Sequence, residues 1–67
     1  MISYEPFYKT LKEKNITVYQ LIFKHGMSAN TFQRMKEGKG ITTETIDTLC
    51  FTLDCNVEDI IVHDKTR

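Results

Sequence analysis

Asn30, Gln33 and Arg34 are the side chains in this sequence best equipped for selective recognition. A carboxamide donates and accepts together and so pairs bidentately with an adenine edge. A guanidinium matches the two acceptors of guanine, and the methyl of Ala29 suits that of thymine. Such groups read a surface only when one rigid element presents them together, and spacings of three and four residues do so on a helix. Phe32 and Met35 supply the apolar side of the same segment. A helix over 28–37 is therefore predicted, with Ala29, Asn30, Gln33, Arg34 and Lys36 pointing outward. The plain alternative for these residues is a solvated helix face, so the surrounding elements have to decide.

Other reactive types are present but poorly arranged for chemistry. Cys50, Cys55 and His63 invite a metal site, yet a structural zinc needs four ligands at recognisable spacing, and neither Cys-x-x-Cys nor His-x-x-x-His occurs. Cys50 falls in an apolar stripe and Cys55 beside a helix start, so both read as free core thiols. Asp54, Glu58, Asp59 and Asp64 gather acid near the carboxyl end, but 67 residues leave little chain to build a pocket around them. No enzyme, cofactor, metal or small-molecule substrate is expected.

The elements that must carry these residues are written as helix starts. An apolar residue, then Ser, Thr or Asn, then a second apolar residue four positions further on describes a capped first turn closed by a hydrophobic staple. The pattern occurs at Ile16-Thr17 with Leu21, Met27-Ser28 with Phe32, Ile41-Thr42 with Ile46, and Cys55-Asn56 with Ile60. Gln20 completes a capping box with Thr17. Phe7, Tyr8 and Leu11 mark an earlier helix with Pro6 in its first turn, making five helices. Gly26 and Gly38 stand where helices end in left-handed backbone. Ile46, Leu49, Cys50 and Leu53 follow the i, i+3, i+4, i+7 rule of a buried stripe. Ile2–Tyr4 and Ile61–His63 are β-prone and expected to pair. The aromatics are expected in the core except Phe23, which lies off its helix's apolar stripe.

Composition sets the class. The chain suits one small all-α domain over 1–67, with no apolar run near the roughly 20 residues of a membrane span and no signal-peptide order, so a cytoplasmic location is expected. Formal net charge is zero, but its distribution is uneven. From Tyr8 to Gly40, seven lysines and arginines face two acids, an excess of +5; from Ile41 onward, six acids face two bases, an excess of −4. The basic half holds the predicted outward helix.

Two helices across 17–37, joined through Gly26, Met27 and Ser28, outline a helix-turn-helix. Over residues 7–62 the chain resembles the phage Cro and lambda-repressor-like helix-turn-helix proteins, particularly their small stand-alone bacterial members. The resemblance rests on Thr17-Val18-Tyr19-Gln20-Leu21, on Gly26 through Phe32, on Glu37-Gly38, and on Ile41-Thr42 through Ile61. It implies a compact five-helix domain whose third helix, 28–37, enters the DNA major groove, usually as a dimer on a two-fold operator. Val18, Ile22 and His25 depart from the family pattern.

Within that frame Ala29, Asn30, Gln33 and Arg34 are expected to read bases, and Gln20, Thr31, Lys36, Lys39 and Thr42 to hold phosphates. Glu37 reads as helix-end polar surface. The acidic half cannot face phosphate, so Val57, Ile60, Ile61 and Val62 are the expected contacts of a weak homodimer strengthened on double-stranded DNA. The competing reading is a protein-interaction module, an antirepressor or antitoxin-like adaptor that keeps the fold and binds through its acidic half. Zero net charge keeps that reading open.

Overall fold

The computed structural model describes residues 1–65; the last two positions of the domain expected over 1–67 lie outside the described residues. The first helix, α1 (Glu5–Lys14), has Pro6 in its first turn. Three hydroxyl caps set the next three. Thr17 Oγ1 accepts from the Gln20 amide at 3.2 Å while the Thr17 amide donates to Gln20 Oε1 at 2.9 Å, so the capping box is formed and starts α2 (Val18–Phe23). Ser28 Oγ accepts from the Asn30 amide at 3.2 Å and starts α3 (Ala29–Lys36). Thr42 Oγ1 accepts from the Thr45 amide at 3.2 Å and starts α4 (Thr43–Leu53). Each such bond satisfies a donor that the helix itself cannot.

The predicted fifth helix is not an α-helix. Four α-helices are present among the described residues, and Val57–Asp59 forms only a 3-10 turn. The Asn56 amide donates to the Asp59 carboxylate at 3.0 Å and begins that turn as the sequence suggests. Ile60, Ile61 and Val62 follow, and their β-branched side chains favour extended backbone over a further turn. The chain accordingly leaves for β2 (Val62–His63), which pairs antiparallel with β1 (Ile2–Ser3) in the register Ile2 with His63 and Ser3 with Val62. The expected terminal pairing is thus present.

Phe7, Leu21, Leu49, Leu53 and Ile60 are the largest fully enclosed side chains, joined in the core by Tyr4, Leu11, Phe32 and Met35. Ile16, Met27, Ile41 and Cys55, the outer halves of the four staples, pack against this cluster, as do the family departures Val18 and Ile22. His25 is exposed. Thr10 is the one polar residue buried among those described, and its hydroxyl donates to the Asp59 carbonyl at 2.8 Å, tying α1 to the 3-10 turn. The aromatic expectation holds for Tyr4, Phe7 and Phe32 only. Tyr8 is exposed, Tyr19 and Phe51 stand 68% and 88% exposed, and Phe23 is 71% exposed as expected. Tyr19 and Phe23, one turn apart, pack on each other outside the core at 4.4 Å between ring centres.

Cys50 and Cys55 are unpaired thiols partly sheltered at the edge of the core. Burial pushes both thiols up, and the charge of Cys50 adds to the shift at Cys55, which reaches about 11 from an ordinary 9.0. Neither is a ready thiolate at neutral pH. Among the described residues no three His, Cys, Asp or Glu side chains group to hold a metal, and no helix is long and apolar enough to cross a membrane.

Helix ends mix two chemistries. Gly26 and Gly38 take φ of +70° and +75°, whereas Asn15 and Asp54 end α1 and α4 with φ of 55° and 51°. Asp54 is doubly disfavoured there, because it bears a Cβ in left-handed backbone and sets a negative charge at a helix C-terminus. Asp54→Gly should stabilise the domain by about 1 kcal/mol, read as a rise of roughly 4–8 °C in thermal midpoint. A second measurement tests the thiols. The unfolded chain releases the Cys55 proton near 9.0, while the fold retains it to about 11, so stability falls as pH rises across that window. Urea midpoints of the wild type should therefore drop more between those pH values than midpoints of Cys55→Ala.

Candidate nucleic-acid interface

The inner side of α3 is anchored before its outer side is considered. Phe32 stacks on Phe7 of α1 with ring centres 6.0 Å apart and planes 16° from parallel, and Met35 is buried one turn further on. With those positions fixed inward, helical geometry turns Asn30, Gln33, Arg34 and Glu37 to the opposite side, and all four are exposed. Ala29 and Lys36, also exposed, border this ridge. The predicted outward face is therefore one surface with no large apolar residue on it.

Its side chains are already engaged with one another. The Glu37 carboxylate accepts from Gln33 Nε2 at 3.4 Å through one oxygen and pairs with Lys39 Nζ at 3.3 Å through the other. A residue read from sequence as inert helix-end surface thus holds one proposed base reader and one proposed phosphate contact. The i, i+4 spacing of Gln33 and Glu37 was the signal available for it.

Arg34 lies on the predicted outward face, but its guanidinium is engaged within the chain. Its Nε and Nη2 both donate to the Gly40 carbonyl, at 3.1 and 2.9 Å, so the guanidinium fork is closed on the loop after α3. Two residues on the same loop, Gly38 and Lys39, are also bonded back to α3, the Lys39 amide donating to the Arg34 carbonyl at 2.8 Å. Tyr4 holds the loop from the other side, its hydroxyl donating to the Lys39 carbonyl at 2.6 Å. Burial pushes the Tyr4 phenol above its ordinary 10.0 against the opposing charge of Arg34, so it stays a donor.

The other expected phosphate ligands fall into two groups. Thr31, Arg34 and Thr42 line one shallow depression with Gly40 and Thr45, and Thr31 and Thr42 meet again beside Ser28 in its neighbour. The start of α4 and the start of α3 thus face a common hollow. Lys36 instead borders a depression lined by Tyr4, Tyr8 and Gly38, on the other flank of α3. Gln20 has its carboxamide oxygen committed to the Thr17 cap, which leaves only its Nε2 to donate outward.

The proposed subunit surface needs one correction. Ile60 is fully enclosed, with 0% exposure, because the staple that begins at Cys55 folds it into the core; it is unable to touch another molecule. Ile61 is half-buried against the same core, while Val57 and Val62 remain exposed.

A short helix, a glycine turn and a second helix whose inner face is pinned and whose outer face is polar define the helix-turn-helix class of DNA-binding domain. A family model described as the Cro/C1-type HTH DNA-binding domain matches residues 8–66, and the chain belongs to that family. The crystal structure of the transcriptional regulator VanUg, Form II, is similar to this chain with a TM-score of 0.82. The two share 24% sequence identity, covering 91% of this chain and 81% of that one, a likeness of fold. No curated protein matches the sequence.

Glu37 is the acid at the end of the outward ridge, and neutralising it both releases two donors and removes a charge that repels phosphate. Glu37→Gln should raise affinity for random duplex DNA about three- to tenfold at low salt, the gain shrinking as salt is added. Fluorescence anisotropy of a labelled duplex measures it; equal affinity at low salt would mean that this end of α3 stays clear of DNA.

Proposed function

We propose that this domain is a sequence-specific transcriptional regulator, acting as a repressor, that inserts α3 into the major groove of double-stranded DNA. The observation that carries the reading is the ridge of Asn30 and Gln33 on a helix whose back is locked by the Phe7–Phe32 stack. Ala29, Asn30 and Gln33 meet base edges. Gln20, Thr31, Lys36, Lys39 and Thr42 meet phosphates at the rim, and Thr42 brings the start of α4 with it. Occupancy of an operator then excludes other proteins from it, which is sufficient for repression.

A single domain of this size covers only about 600–1,000 Å² of interface and reads half an operator, so two copies act together. Val57 and Val62, with the exposed part of Ile61, form the contact. Such an area gives weak association in solution that DNA strengthens. A second reading, protein binding through the same fold, draws support from the exposed Tyr19–Phe23 pair and from Phe51, which stands 88% exposed on α4.

Selection of bound duplexes from a random pool tests the first reading. One enriched sequence, bound with affinity that falls steeply with salt, is expected. Asn30→Ala should then cost about 1–3 kcal/mol at one base pair and little elsewhere. Retardation of no duplex at low salt would hand the function to the protein-binding surface. Val62→Asp should abolish cooperativity on a two-half-site duplex while leaving single half-site binding intact, a pairing that sedimentation and titration on one-site and two-site duplexes check directly.

A further inference from the structure

Arg34 has the residue type and the face expected of a base reader, yet its fork is spent inside the protein. Both Nε and Nη2 converge on one acceptor, the Gly40 carbonyl, at 3.1 and 2.9 Å, a charge-assisted arrangement stronger than either bond alone. The neighbouring carbonyl, that of Lys39, is taken by the Tyr4 hydroxyl at 2.6 Å. Two successive carbonyls of the loop between α3 and α4 are thus held by two different elements, one by the outer face of α3 and one by the residue that follows β1. Gly38, at φ +75°, makes the turn into this stretch, and no heavy atom lies within 4 Å of where a Cβ on Gly40 would stand. Beyond the bonds that the Gly38 and Lys39 amides make to α3, the Arg34 and Tyr4 donors restrain the carbonyls of a segment containing two glycines among Gly38, Lys39 and Gly40.

The held segment bears one of the proposed rim residues, Lys39, and leads into another, Thr42. Lys39 projects from its centre, and Thr42, which begins α4, lies two residues beyond Gly40. Fixing the Lys39 and Gly40 carbonyls fixes where that ammonium and the free end of α4 stand relative to the reading ridge. Resting on the DNA-binding reading above, we infer that Arg34 is a positioning residue: it clamps the 38–41 loop so that Lys39 and the start of α4 engage backbone phosphate, and it does not read a base. Tyr4 is the second half of the clamp.

The consequences separate cleanly from those of base reading. A lost base contact changes preference at one position, whereas a loosened loop weakens every duplex alike and removes the phosphate contact that Lys39 makes. Arg34→Met keeps the aliphatic stem and deletes the donors. It should lower affinity about tenfold for the selected duplex and for a random duplex in the same proportion, leave the base preference obtained from a random pool unchanged, and reduce the slope of log affinity against log salt by about one. Lys39→Met should reduce that slope by the same amount, and the double variant should lose no more than the larger single loss, because both changes remove one contact.

Tyr4→Phe, which retains the ring in the core, should produce a smaller loss of the same kind, and it carries the test should Arg34→Met fail to fold. Altered preference at a single base pair in Arg34→Met would make Arg34 a reader after all, and additive losses with Lys39→Met would make it an independent phosphate ligand; either result overturns the clamp. In the Tyr4→Phe arm, wild-type affinity and slope would overturn it. Failure of the wild-type protein to bind any duplex removes the DNA-binding reading itself, a result distinct from these.

Discussion

The stacking of Phe32 on Phe7 is the contact on which the rest of this small structure depends. A helix of eight residues has too few internal bonds to stand alone in water. Its direction is set by what its apolar side meets, and two rings lying nearly parallel at 6.0 Å fix both its position and its rotation about its axis. Once that rotation is fixed, the residues three and four positions away have no choice of side. Truncating either ring would remove about 3–5 kcal/mol, a large share of what a small domain typically has, so the outward face of α3 and the fold would be lost together.

Electrical asymmetry does for the whole molecule what this stack does for one helix. Zero net charge would ordinarily speak against a nucleic-acid partner, but the positive excess is confined to the segment containing α2 and α3 and the negative excess to the segment from Ile41 onward. A dipolar body of this kind approaches a polyanion in a preferred orientation. Glu37 is one of two acids within the basic segment, and it contacts both Gln33 and Lys39 on the exposed ridge. Similarity of overall fold to VanUg is consistent with this arrangement of helices.

What the sequence disclosed was local chemistry. Thr17, Ser28 and Thr42 each cap a helix as their neighbours dictate, because a hydroxyl and an amide two or three residues away need no distant partner. Gly26 and Gly38 end their helices for the same local reason, and the strand pair follows from β-branched residues at both ends. What it concealed depended on a third element. The strand pairing that follows the Val57–Asp59 turn needs β1 from the other end of the chain, whereas the inward place of Ile60 was already implied by its staple with Cys55. Tyr19 and Phe51 stand outside the core because a ring is buried only where its position on the helix faces inward. Their positions off the apolar stripes of Leu21 and of Leu49 with Leu53 already pointed outward, as the same argument had for Phe23. The fork of Arg34 was legible as a bidentate donor, but nothing in the sequence names Gly40 as its acceptor.

The pairing of Ile2 with His63 and Ser3 with Val62 has a consequence for how the chain assembles. Every helix here is built from neighbours along the chain, and the stack, the caps and the glycine turns lie within the first two-thirds of it. The ladder joins the two ends of the described chain beside α1, where the Thr10–Asp59 bond and the enclosed Ile60 already hold the 3-10 turn, so it closes little additional loop and adds only a few backbone bonds of its own. A pair of two-residue strands at the edge of the core is the part of the fold expected to open at least cost, with the helical body left intact. Because Tyr4 follows β1 directly, fraying of the ladder slackens one hold on the loop beyond α3 without unfolding α3 itself. Tyr4 thus couples the ladder to a segment thirty-five residues further along the chain, a local opening with a remote readout.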